Sequence, residues 1–154
     1  MQILADADAL PIPIREILFR AAERSGSPLV LVANIPLKLP KSTLISGIVV
    51  PQGPDEADDK IADIVQAGDL VITADIPLAD RAVDKGATVI DPRGNLISIN
   101  NISEKLTMRN LKEELRNSGI DTGGPPPFTA KDIQAFANQL DKFITKNKTQ
   151  NEKG

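Results

Sequence analysis

Leu70-Val71-Ile72-Thr73-Ala74-Asp75-Ile76-Pro77 reads as a strand that ends in an acid and turns at once into a helix. Its β-branched, apolar run suits a strand covered on both faces. Pro77 suits a first helical turn, where the missing N–H costs nothing. Gly86 closes that helix, and a further strand follows at 88–90. The front of the chain repeats the pattern. Residues 2–5 form a strand, Asp6-Ala7-Asp8 follows it, and Pro11 and Pro13 announce a helix with Ile14, Ile17, Leu18, Ala21 and Ala22 on one face.

Between these two units lie strands at 29–33 and 48–50, and a helix over about 55–66 that Gly68 ends. Pro36 and Pro40 restrict 35–46 to a turn or so of helix. Apolar runs alternating with segments of helical period predict an α/β fold with a central parallel sheet flanked by helices. The expected strand order is about 3-2-1-4-5, with helices on both faces. Asp91-Pro92-Arg93-Gly94 carries the residues a type I turn prefers, so 95–98 returns as a short edge strand. Asn101 with Glu104, and Thr129 with Asp132, mark two further helix starts. In the last helix Ile133, Phe136, Ala137, Leu140, Phe143 and Ile144 share a face, which docks it on the core. Residues 147–154 contain no apolar side chain and read as a loose polar tail, leaving one domain over 1–146.

Composition removes whole classes of chemistry. The 154 residues contain no Cys, His, Trp or Tyr. Thiol nucleophiles, histidine triads and zinc sites built on Cys or His are therefore excluded. Lys+Arg 18 against Asp+Glu 21 gives a net charge of −3, which offers no general attraction to nucleic acid or to an anionic membrane. Asp6 and Asp8 interrupt the N-terminus before any signal-peptide core, and no run is long enough to span a membrane. The expected location is the cytoplasm.

The remaining chemistry belongs to carboxylates. In a sheet ordered 3-2-1-4-5, ligands bind outside the carboxyl ends of strands 1 and 4, where Asp6, Asp8 and Asp75 fall. In an extended stretch Asp6 and Asp8 project to the same side. Two such charges about 4 Å apart repel by roughly 4 kcal/mol at an effective dielectric near 20. A raised pKa, a basic neighbour or a divalent cation must relieve them. Oxygen-only ligands favour Mg²⁺ or Mn²⁺. Capping of the following helices by single Asp residues is the plainer alternative. Asp58 lies at the edge of its helix's apolar face, whereas Asp59 falls nearly opposite. Candidates for holding phosphate are Arg15, Lys38, Lys41 and Arg93, with the amides of Gly123 and Gly124 in Thr122-Gly123-Gly124-Pro125-Pro126-Pro127. That segment equally suits a rigid connector for the last helix.

Asp6-Ala7-Asp8-Ala9, Pro11-Ile12-Pro13-Ile14-Arg15, Ala57-Asp58-Asp59, the run from Gly68 to Ala79, Asp91-Pro92-Arg93-Gly94 and the Gly-Gly-Pro-Pro-Pro segment, in this order, resemble the bacterial YaiI/YqxD family. The similarity covers about residues 3–143 and departs at Leu10, where members usually carry Cys. That family is grouped by resemblance with PIN-like domains, typically Mg²⁺- or Mn²⁺-dependent ribonucleases. The resemblance implies a PIN-like domain with Asp6 at the first acidic position, Asp58 or Asp59 in the middle helix and Asp75 after strand 4. Asp8 is an additional acid of the family motif.

The leading expectation is a hydrolase of phosphodiesters, with RNA as the substrate to try. Asp6, Asp8 and Asp75 hold the metal, Asp58 supports it through water, and Arg15, Lys38, Arg93, Gly123 and Gly124 meet phosphate. One alternative is an aspartate-nucleophile phosphatase using Asp6 and Asp8, with Thr73 and Lys85 as helpers. The other is a non-catalytic scaffold that binds RNA or protein.

Overall fold

A computed structural model describes residues 1–153, with side-chain surroundings for residues 1–148. Its sheet has six strands: β1 (Ile3–Asp6), β2 (Leu29–Ala33), β3 (Ile45–Val49), β4 (Leu70–Ile72), β5 (Thr88–Ile90) and β6 (Leu96–Ile97). Their order is β3-β2-β1-β4-β5-β6, as the sequence predicts. All pairings are parallel except β5 with β6, which the Asp91 turn makes antiparallel. β1 sits at the centre, with Ile3 opposite both Leu29 and Leu70. Chain order reverses there, and in open α/β sheets ligands bind outside the carboxyl ends of the strands at such a reversal, here β1 and β4.

Period-2 alternation in the strands sends side chains to two separate cores. Ile3, Ala5, Leu29, Leu31, Leu70, Ile72 and Ile90 face α1 (Ile12–Ser25) and α5 (Ala130–Lys153), which contribute Ile14, Leu18, Phe136 and Leu140. Leu4, Val32, Val71 and Val89 face the other way. They pack on α2 (Glu56–Ile64), α3 (Ile76–Asp84) and the first turn of α4 (Ile102–Asn117) through Ile61, Leu78, Ala82 and Ile102. The final helix is docked as its apolar face predicts, since Phe136 and Leu140 are fully buried.

The structure departs from expectation in a few places. A 3₁₀ turn, Ala7–Ala9, separates β1 from α1, so Asp8 does not continue the strand. β3 begins earlier than its apolar triplet, at Ile45. Past its first turns α4 lies largely in solvent, with Met108 and Leu111 about half exposed. α5 is assigned over Ala130–Lys153, and no Gly or Pro interrupts it. Gly154 lies outside the described residues. Among the described residues no helix is long and apolar enough to cross a membrane.

Candidate carboxylate site at the carboxyl edge of the sheet

Asp6 is the last residue of β1, and its extended backbone leads into the 3₁₀ turn. Its carboxylate is half-buried and accepts no side-chain cap bond. Burial raises its pKa, and the charges of Asp8 and Asp75 raise it further. Asp75 follows β4 as the N-cap of α3, where Oδ1 accepts the Leu78 N–H at 2.8 Å. The Asp75 N–H donates to Thr73 Oγ1 at 3.0 Å, so the buried Thr73 hydroxyl fixes the turn that presents Asp75. Capping uses one Asp75 oxygen, and the other has no hydrogen-bond partner among the described residues.

Asp58 comes from the first turn of α2, whose Ile61 and Ala62 are buried against the sheet. Burial, then the charges of Asp75, Asp6, Asp55 and Asp59, push its pKa up to about 6. Asp59, on the other side of the helix, pairs with Arg81 of α3 at 2.8 Å. Asp58, which has no ion-pair partner among the described residues, is the member of that pair on which burial and the charges of Asp75 and Asp6 act. Three acids from three elements share one field. Among the described residues none of Asp6, Asp8, Asp58 and Asp75 has an ion-pair partner.

Asp8 belongs to this field through its effect on Asp6, but the expected strand geometry is corrected. The 3₁₀ turn swings its side chain toward β2, where Oδ2 accepts the Asn34 N–H at 2.8 Å. Among the described residues no group of three acids converges tightly enough to form a ready metal site. The donor chemistry nonetheless suits a hard divalent ion, because the available side-chain ligands are carboxylates with which no arginine or lysine pairs among the described residues.

The basic candidates divide. Arg15, in the first turn of α1, donates from Nη2 to the Ala7 carbonyl at 2.8 Å and braces the turn behind Asp6. Its Nε is buried without a partner. Lys38 is exposed on the connection between β2 and β3. Arg93 is already engaged: Nη1 pairs with Asp132 at 3.0 Å and reaches the Pro127 carbonyl at 3.3 Å, Nη2 meets the Pro126 carbonyl, and the guanidinium lies 5.7 Å from the centre of the Phe128 ring. The Gly123 N–H donates to Asp121 at 2.8 Å, and Gly124 is exposed. The Gly-Gly-Pro-Pro-Pro segment is thus a connector strapped to the Asp91 turn. Lys85, a helper in the phosphatase alternative, donates to the Ala62 carbonyl at the far end of α3, remote from the carboxyl edge.

Sequence reasoning missed two arrangements. The Arg93–Asp132 clamp joins two motifs whose proximity only the fold creates. Buried Asp69 accepts the Gln2 N–H at 3.1 Å, Gln2 Nε2 at 3.1 Å and the Gln66 N–H at 2.9 Å, tying the amino ends of β1 and β4 together.

The family model described as "Uncharacterized BCR, YaiI/YqxD family" matches residues 4–146. A UPF0178 protein of Cupriavidus pinatubonensis is 55% identical over 147 residues, which is 96% of this chain and 98% of that protein. One from Burkholderia ambifaria is 54% identical with the same coverage. Another, from Shewanella sp., is 56% identical over 96% of this chain and 97% of its own. No solved structure matches.

Proposed function

We propose a function for this chain, which belongs to the YaiI/YqxD family: divalent-metal-dependent hydrolysis of phosphodiester bonds, with RNA as substrate, by a PIN-like domain in the cytoplasm. One observation carries the reading. Asp6, Asp58 and Asp75 act on one another's charge near the switch point of the sheet, and none of them has an ion-pair partner among the described residues. A structural carboxylate gains nothing from such company, whereas a binding site for positive charge requires it.

Asp6, Asp8 and Asp75 are the residues that would hold Mg²⁺ or Mn²⁺. When bound, the ion supplies Lewis acidity at the phosphate and activation of water. Asp58, whose carboxylate is raised above its ordinary range first by burial, is placed to take the proton of the attacking water as the new P–O bond forms. The bond to the leaving ribose oxygen breaks, and that oxygen is protonated from solvent. Arg15 holds the turn behind Asp6 and keeps the carboxylate at the crevice. Asp75 is held by Thr73 and by the amino end of α3.

Labelled single-stranded RNA incubated with Mn²⁺ and either wild type or Asp6→Asn tests the proposal. Cleavage by the wild type with loss of at least about a hundredfold in the variant supports it, a loss in the range general acid–base and metal-site groups supply. Equal cleavage by both proteins places the activity elsewhere. A binding-only reading is favoured by the loose spacing of the acids. It expects RNA retention with no cleavage under any metal.

A further inference from the structure

Opposite the carboxylates, at the amino-terminal edge of the sheet, the starts of β4 and β5 meet the end of β6 and the outer half of α5. They line an open groove of about 480 Å³, within the roughly 300–1,000 Å³ of small-ligand sites. Lys142 and Lys146, one helical turn apart on α5, line it from one side. Both are exposed, and neither has an ion-pair or hydrogen-bond partner among the described residues. The half-buried hydroxyls of Thr88 and Ser98 line it from the strand side. Ser98 Oγ accepts the Asn100 N–H at 3.3 Å, which leaves the hydroxyl proton free to donate. Phe143, half-buried and packed against the core along one side, and Leu96, 41% exposed, complete the lining with apolar surface.

The chain has a net charge of −3, yet this groove presents ammonium groups without an ion-pair partner among the described residues, beside hydroxyl donors. That combination selects a compact oxyanion, and lysine is a common phosphate-binding point charge. The aromatic side chain selects a planar body attached to it, since bases stack on such rings. We propose that this groove binds a nucleoside monophosphate, its phosphate on Lys142, Lys146 and the hydroxyls and its base against Phe143. The site is separate from the carboxylate cleft and does not depend on the hydrolase reading.

Calorimetric titration of adenosine monophosphate, adenosine and inorganic phosphate into wild type, Asp6→Asn and the Lys142→Glu/Lys146→Glu double variant tests this, with circular dichroism confirming that each is folded. The nucleotide should bind the wild type and Asp6→Asn saturably and alike. Its affinity should fall by about tenfold or more in the double variant, as expected for losing charged contacts. Adenosine and phosphate should each bind more weakly than the nucleotide. Absence of saturable binding to the wild type, equal affinity in the double variant, or weakening by Asp6→Asn overturns the proposal. Inorganic phosphate binding as tightly as the nucleotide overturns its nucleoside part.

Discussion

Asp6, at the carboxyl end of β1, has its pKa raised first by burial, then by the charge of Asp8 and by that of Asp75 at the amino end of α3. The proximity of Asp6 and Asp75 follows from the reversal of strand order between β1 and β4, and Asp58 is drawn into the same field from α2. The fold therefore concentrates negative charge where its backbone leaves an opening.

Asp58 gives that field a pH signature. Its folded pKa is about 6 against an ordinary 3.8, so between those values the folded chain binds more protons than the unfolded one. Stability falls as pH rises through that window and levels off above it. Asp58→Asn, which removes a charge facing Asp75, Asp6, Asp55 and Asp59, should stabilise the protein at pH 7.5 by about 1 kcal/mol after allowance for solvent screening. Near pH 4 the gain should vanish. Thermal melts across pH 4–8 check both the sign and the window.

Gly94 is fixed by sterics. Its φ is +86°, and a Cβ there would sit 2.5 Å from the Ala135 carbonyl carbon in α5. Gly94→Ala should cost about 3 kcal/mol, combining left-handed strain with overpacking against helix backbone. Gly123, at φ +72° with nothing within 4 Å of an added Cβ, should lose only about 1 kcal/mol as Ala. Urea midpoints of the two variants make the comparison.

Arg93 holds the connector before α5 by its pair with Asp132, its bonds to the Pro126 and Pro127 carbonyls, and its ring contact with Phe128. Arg93→Ala should cost about 1–2 kcal/mol. It should also hasten proteolysis within 118–128 under native conditions, which limited digestion followed by mass spectrometry reads directly.

Asp69→Asn tests the buried acceptor at the other edge. The carboxylate receives three N–H donors on two oxygens, and an amide turns one acceptor into a donor facing a donor. A loss of about 2 kcal/mol is expected, measurable by denaturant titration.

The sheet was legible because its strands are near-continuous apolar runs, as in 29–33 and 70–74, ended by a polar residue, Asn34 and Asp75, with a Pro two residues further on. Asp6 and Asp75 were legible for the same reason: an acid directly after a buried strand has few places to go. Asp8 was not, because the 3₁₀ turn of Ala7–Ala9 leaves no periodic trace in so short a segment, and its partner is a backbone N–H at Asn34. Arg93 and Asp132 each carried a local reading, as turn residue and helix start, that gave no hint of the other. Such pairings depend on distances that only the packed chain sets.

Calorimetric titration of Mn²⁺ into the wild type and into Asp6→Asn tests the cation-binding cleft most directly. A single saturable site in the wild type, lost in Asp6→Asn and weakened in Asp75→Asn, is the predicted result. No saturable heat in the wild type, or the same isotherm for all three proteins, would contradict it.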